Sequence, residues 1–270
     1  MPDFADTLNT DLEKIRSANL FRSLRSIDGP QQPHILQGKR ELLDFSSNDY
    51  LGLANHPALI DAGQKALGDF GLGSGASRLV CGTHKPHAEL EEAMAEFKGT
   101  DAALTFATGY AAATGAICSI MGKGDVIILD KLVHASIIDG AKLSGAQIRV
   151  FRHNDLEDLE KKLKWATEKH PDSRRLIVTE SVFSMDGDLA PLPNIVELKE
   201  RHGAWLMVDE AHATGLFGSH RSGLVEELGV SDQVEIQLAT MGKALGCSGG
   251  AICGSRRLID LLINRARPFI

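Results

Sequence analysis

The chain has 270 residues, 43% hydrophobic and 24% charged, with 29 Lys and Arg against 36 Asp and Glu for a net charge of −7. This suits one large or two small soluble globular domains and excludes wholesale disorder, a collagen repeat or a coiled-coil rod. The acidic balance, with no Lys/Arg-rich block, argues against nucleic acid as a partner. No apolar run approaches the roughly 18–20 residues a membrane span needs, and the polar, partly acidic start MPDFADTLNTDLEKIRSANL lacks signal-peptide character, so a cytoplasmic location is expected.

Residues 1–43 read as an N-terminal arm: an amphipathic helix carrying Leu8, Leu12, Ile15 and Leu20, then a turn at Asp28-Gly29-Pro30-Gln31-Gln32-Pro33. The main domain, 44–270, alternates apolar strands with helices. Strands are predicted at AALTFA (102–107), DVIILD (125–130), QIRVF (147–151), RLIVTE (175–180), AWLMVD (204–209), EIQLAT (235–240) and GGAICG (249–254). Between them lie stretches such as Leu156 to Lys169, apolar on one face and charged on the other. The pattern predicts an α/β fold, a mostly parallel sheet covered on both faces, with ligands beyond the carboxyl ends of its strands. Cys81, Cys118, Cys247 and Cys253 form no C-x-x-C pair and read as buried free thiols.

Three tempting motifs fail on context. Gly71-Leu72-Gly73-Ser74-Gly75-Ala76 follows no strand and places its third glycine one residue early for a dinucleotide loop. Asp209-Glu210-Ala211-His212 spells the DEAH box of helicase-type NTPases, but no G-x-x-x-x-G-K-[ST] phosphate loop precedes it. His84-Lys85-Pro86-His87 offers two imidazoles without a third ligand, so no metal site is expected.

A different combination fits. Asp209 ends one strand, with His212 in the following turn, and Lys243 follows another in Ala239-Thr240-Met241-Gly242-Lys243-Ala244-Leu245-Gly246. A strand-end lysine near a strand-end aspartate is the pairing a pyridoxal phosphate enzyme requires, the lysine as Schiff base and the aspartate on the pyridine nitrogen. Thr108-Gly109-Tyr110-Ala111-Ala112-Ala113, opening an Ala-rich helix after a strand, would supply the phosphate site.

These segments resemble the α-oxoamine synthases, pyridoxal phosphate enzymes of the aspartate-aminotransferase fold. The resemblance covers essentially the whole chain. It runs through Phe45-Ser46-Ser47-Asn48-Asp49-Tyr50-Leu51-Gly52-Leu53, Gly75-Ala76-Ser77-Arg78-Leu79, His87 through Glu91, Asp130 to Gly140, Phe183-Ser184-Met185-Asp186-Gly187-Asp188, Val208 to Gly215 and the lysine segment. By that resemblance Lys243 carries the cofactor and moves the Cα proton, and Asp209 pairs with the pyridine nitrogen. His212 and Ser184 meet the phenolic oxygen, while His134 stacks on the ring and meets the substrate carboxylate. Gly109, Tyr110 and Thr240 bind the phosphate. Arg22, with Arg25 as its alternative, and Asn48 are substrate-side residues, and the loop Ser74-Gly75-Ala76-Ser77-Arg78 reaches the partner's site in a homodimer.

The family's reaction is a decarboxylative condensation of an amino acid with an acyl thioester. The segments resemble most the biotin-pathway branch that uses alanine and a pimeloyl thioester (CoA or acyl carrier protein), and nearly as well the branch that acetylates glycine. Family members continue beyond the equivalent of Arg265-Ala266-Arg267-Pro268-Phe269-Ile270 with a small domain carrying an arginine for the substrate carboxylate. The expectation is therefore a cofactor domain lacking the C-terminal domain, shortened or completed by a second chain, with a non-catalytic remnant or scaffold as the alternative.

Overall fold

The computed structural model describes residues 3–270, which fall into two compact units divided between Ser46 and Ser47. In the first, the Asp3 carboxylate caps α1 (Phe4–Ser17) by accepting from the N–H groups of Ala5 at 2.9 Å and Asp6 at 3.3 Å. Leu8, Leu12 and Ile15 lie on this helix, whereas Leu20 falls beyond its end. The Pro/Gly stretch leads into an antiparallel hairpin that the sequence reading did not anticipate, β1 (His34–Gln37) and β2 (Arg40–Leu43). Its strands are only four residues long and mostly exposed, so they carry little hydrophobic pattern. The two-residue turn works because Gly38 takes φ +61°.

The second unit begins with α2 (Pro57–Phe70), α3 (Arg78–Cys81) and α4 (Lys85–Lys98). Then come β3 (Ala102–Phe106), α5 (Gly109–Ile120), β4 (Val126–Asp130), α6 (Ala135–Ser144), β5 (Gln147–Phe151) and α7 (Leu156–Lys169). The chain continues through β6 (Arg175–Glu180), α8 (Leu192–His202), β7 (Trp205–Asp209), the short α9 (Leu224–Glu227), β8 (Ile236–Thr240), β9 (Gly250–Gly254) and α10 (Arg256–Arg265). Seven strands form one sheet in the order β3-β9-β8-β7-β6-β4-β5. It is parallel except for β9, which runs antiparallel to both its neighbours. The segment joining β8 to β9 is too short for the crossover a parallel strand demands. Among the described residues no helix is long and apolar enough to cross a membrane.

Side chains alternate between two cores. Ile127 and Leu129 of β4, Leu176 and Val178 of β6, Met207 of β7 and Ile236 and Leu238 of β8 pack with α5, α6 and α10. Val126, Ile128, Ile177, Leu206 and Val208 face α7 and α8 instead. Because the strand period is two, the last residues of β6, β7 and β8, namely Glu180, Asp209 and Thr240, all emerge on the α5 face. Asp130, ending β4, emerges on the other. The thiol expectation holds only for Cys253, which burial pushes up to about 12; Cys81 and Cys247 are exposed, as is Cys118 on α5.

A buried and a part-buried polar cluster fix the loops at this edge. Lys98, fully buried at the end of α4, places its Nζ 2.9 Å from Glu210 Oε2 and 2.9 Å from Thr214 Oγ1, and donates to the Ser222 carbonyl. Glu210 Oε1 accepts from the Val225 N–H at 2.9 Å. Gly223 packs so closely on Glu210 that a Cβ there would come within 2.2 Å of Oε2. The turn after Asp209 is thus tied to a helix more than a hundred residues earlier. In the second cluster the ring of His153 spans Asp130 Oδ1 (3.0 Å) and Asp188 Oδ2 (2.8 Å), joining the end of β4 to the loop that holds Ser184. The Phe183 ring lies edge-on to it at 4.4 Å.

Lys98→Ala should destabilise the protein by about 3–5 kcal/mol in chemical denaturation, since it strands a buried carboxylate. Lys98→Met combined with Glu210→Gln should recover much of that loss. For His153, burial lowers the pKa but the two carboxylates outweigh it and raise the value above 6.5. A raised folded-state pKa gives stability that is fully present below the unfolded value and lost as pH rises through the folded one. Denaturation midpoints should fall across the window that begins near pH 6.5, and this slope should vanish in His153→Gln.

Candidate functional site

A cavity of about 130 Å³ opens at the carboxyl edge of the sheet, lined by Gly109, Tyr110, His134, Ser136, Glu180, Asp209, Ala211, His212, Leu238, Thr240 and Lys243. Its floor is the strand-end set on the α5 face. Asp209 is 6% exposed, and its Oδ1 accepts from the Ala211 N–H at 2.9 Å. Burial raises its pKa, opposed by that hydrogen bond and by the charge of Lys243. A carboxylate held out of water in this way calls for a cation.

Lys243 Nζ lies 2.6 Å from His212 Nε2, and His212 Nδ1 lies 2.7 Å from the Tyr50 hydroxyl, which donates to Asn48 Oδ1 at 3.1 Å. One set of protons satisfies the whole chain: Lys243 donates to Nε2, Nδ1–H donates to Tyr50, and Tyr50 donates to Asn48. Burial, then the positive charge of Lys243, pushes His212 down to about 4, so the ring is neutral at physiological pH. Burial likewise lowers Lys243, against the raising pull of Asp209 and Glu180. A lysine eased toward its free amine is the condition for attack on a carbonyl.

His134 caps α6, its Nδ1 accepting from the Ser136 N–H at 3.2 Å and lying 2.8 Å from Ser136 Oγ. This leaves the proton of a neutral ring on Nε2. Opposite, Thr108 caps α5 through the Ala111 N–H at 3.0 Å, and the first N–H groups of the helix, from Gly109 and Tyr110, are left to hold an anion. Close packing makes the cradle. A Cβ on Gly109 would meet Thr240 Cγ2 at 2.7 Å, and one on Gly250 would meet Gly109 Cα at 2.6 Å. An anion cradle, a desolvated carboxylate and a depressed lysine fit the phosphate, ring nitrogen and aldehyde carbon of pyridoxal phosphate.

The cavity thus brings together seven of the expected residues: Gly109, Tyr110, His134, Asp209, His212, Thr240 and Lys243. Asn48 joins them through Tyr50. Ser184 does not line it; it is exposed, four residues after Glu180. Arg22 lies in the exposed stretch after α1 in the first unit. In the Ser74–Arg78 loop, Ser77 caps α3 and Arg78 turns inward to grip Glu91 with two nitrogens at 2.7 and 2.9 Å. Tyr50 and Glu180 were given no role from sequence. Glu180 satisfies the criterion that singled out Asp209, a polar residue ending an apolar strand, whereas only the fold brings Tyr50 to His212.

The aminotransferase class I and II family matches residues 40–270. The 8-amino-7-oxononanoate synthase of Geotalea daltonii is 51% identical over 264 residues, 98% of this chain and 67% of its own. Among solved structures, serine palmitoyltransferase from Sphingomonas wittichii is 37% identical with a TM-score of 0.90, covering all of this chain and 68% of that one. A variant of the S. paucimobilis enzyme with bound PLP and myriocin is 34% identical with a TM-score of 0.91, at the same coverage. The chain spans about two thirds of the length of the curated relatives it matches. It belongs to the aminotransferase class I and II family and, within it, to the pyridoxal phosphate-dependent α-oxoamine synthases.

Proposed function

We propose that this chain supplies the cofactor-binding part of a C-acyltransferase of the 8-amino-7-oxononanoate synthase type, joining L-alanine to a pimeloyl thioester with loss of CO2 in biotin biosynthesis. The observation that carries the reading is the placement of Lys243 Nζ 2.6 Å from a neutral His212, in the same cavity as the buried Asp209. When bound, pyridoxal phosphate draws electrons away from the substrate Cα and makes its proton acidic. Asp209 holds the ring nitrogen protonated, and the α5 N-terminus with Thr240 anchors the phosphate. His212, and Ser184 by resemblance, hold the phenolic oxygen. Lys243 Nζ takes and returns the Cα proton, its lowered pKa suiting it to that exchange. His134, with its proton on Nε2, is placed to meet the substrate carboxylate; Asn48 and Arg22 belong to the substrate side.

The outward face of the second unit supports a homodimer. Helix α2 buries none of its residues, and Leu72 and Val80 are 92% and 80% exposed beside it in sequence. Apolar exposure on this scale suits a second copy of the chain. Whether a second chain completes the substrate pocket is a further part of the proposal, which the two-thirds coverage motivates, and the cytoplasm is the proposed location.

Borohydride reduction of the cofactor-loaded protein, followed by peptide mapping, should place a single pyridoxyl group on Lys243, with none in Lys243→Ala. A colourless protein that takes up no cofactor would contradict the reading. Thiol release should be faster with alanine and pimeloyl-CoA than with glycine and acetyl-CoA. One substrate methyl is worth about 1–3 kcal/mol, so the expected preference for alanine over glycine is roughly 10- to 200-fold. The reverse preference would make the protein a glycine C-acetyltransferase.

A further inference from the structure

Glu180 has no part in the chemistry so far, yet it stands in the middle of the site. It ends β6 in direct register with Asp209 of β7, so both side chains leave the same face of the sheet side by side. The strand order places it between Asp209 and the loop after β4 that carries His134. It is 2% exposed, lines the cavity, and among the described residues its Oε1 has no hydrogen-bond partner. A buried carboxyl with an unpaired oxygen beside a ligand cavity is costly unless the group is neutral or the ligand completes it.

Two carboxyls this close and this dry do not both ionise at neutral pH. The charge settles where donors hold it. Asp209 has the Ala211 N–H at 2.9 Å. The backbone amides of His134 and Ser184 approach Glu180 but leave its Oε1 without a donor, and Lys243 lines the same cavity as both carboxyls. We propose that Glu180 is a further positioning residue of the site, a carboxyl that keeps its proton while Asp209 carries the charge, and whose unpaired oxygen lies beside the cavity between His134 and Asp209. Burial, then the charge of Asp209, raises Glu180 to about 7, against the two amides and Lys243. Below that pH the pair bears one negative charge. Above it a second appears beside Lys243, which then holds its own proton more tightly.

The inference rests on reading this cavity as the cofactor site. Its test uses the cofactor-free protein, so it fails separately from that reading, which borohydride labelling of Lys243 examines. Infrared titration of the full chain should reveal a protonated carboxyl that ionises near pH 7, absent from Glu180→Gln. In parallel, the pH profile of Lys243 acylation, read by mass spectrometry against the exposed lysines as internal standards, should carry an inflection near the same pH. Glu180→Gln should erase that inflection and make Lys243 reactive at lower pH, several-fold more so in mildly alkaline buffer, because the second negative charge never forms. A purely structural Glu180 would leave the Lys243 profile in place. A near-neutral carboxyl that persists in Glu180→Gln would belong to Asp209 and overturn the assignment. If the variant does not fold, the native titration alone decides: no carboxyl ionising above pH 6 or so contradicts the proposal.

Discussion

The carboxylate of Asp209 is held out of water at the end of a buried strand, and the rest of the site adjusts to that one expense. Burial alone would protonate it. Opposing that are a single backbone N–H, from Ala211, and the positive charge of Lys243. The same burial displaces its neighbours: Lys243 toward the free amine against the pull of Asp209, His212 to a neutral ring, and Glu180, with the charge of Asp209 added, toward the neutral acid. A bound ring with a protonated nitrogen resolves the arrangement by giving Asp209 a partner that arrives with its own charge. The site is thus built for a cationic heteroaromatic group with a phosphate at its other end, where the α5 N-terminus waits.

Holding such a floor in place takes rigid loops, and the fold provides them through polar contacts far apart in sequence. Lys98 and Glu210 fix the turn between Asp209 and His212, while His153 fixes the end of β4 against the loop after β6. Neither cluster lines the cavity. Their buried or part-buried charges are tolerable because every one is paired, and breaking a pair is far more damaging than replacing it whole. The Glu of the Asp-Glu-Ala-His sequence therefore serves architecture, while its neighbours Asp209 and His212 line the cavity.

Much of this was legible from the chain alone. All seven strands of the main sheet lie within one residue of the apolar runs, because strands buried on both faces are continuous hydrophobic stretches that few alternatives mimic. The strand-end rule pointed to Asp209, the lysine segment to Lys243 and the resemblance to Thr240, and all three line the cavity. What escaped was non-local or weakly patterned. The β1–β2 hairpin has short exposed strands, the antiparallel sense of β9 depends on a connection length, and Tyr50 reaches His212 across 162 positions. Lys98 looks in sequence like any solvated helix-end lysine; only the packed structure shows it buried. The thiols erred the other way: Cys118 takes an exposed position of the mostly buried α5, and Cys81 ends the mostly exposed α3.

The proposed chemistry turns on Asp209 holding a proton on the cofactor's ring nitrogen, and nitrogen-15 NMR of protein reconstituted with ring-labelled pyridoxal phosphate reads that proton directly. In the native protein the nitrogen should be protonated at neutral pH, and in Asp209→Asn it should be unprotonated, with cofactor affinity about 10- to 100-fold weaker for the loss of a charge-assisted hydrogen bond worth about 1.5–3 kcal/mol. An unprotonated nitrogen in the native protein, or a protonated one that survives Asp209→Asn, would contradict it.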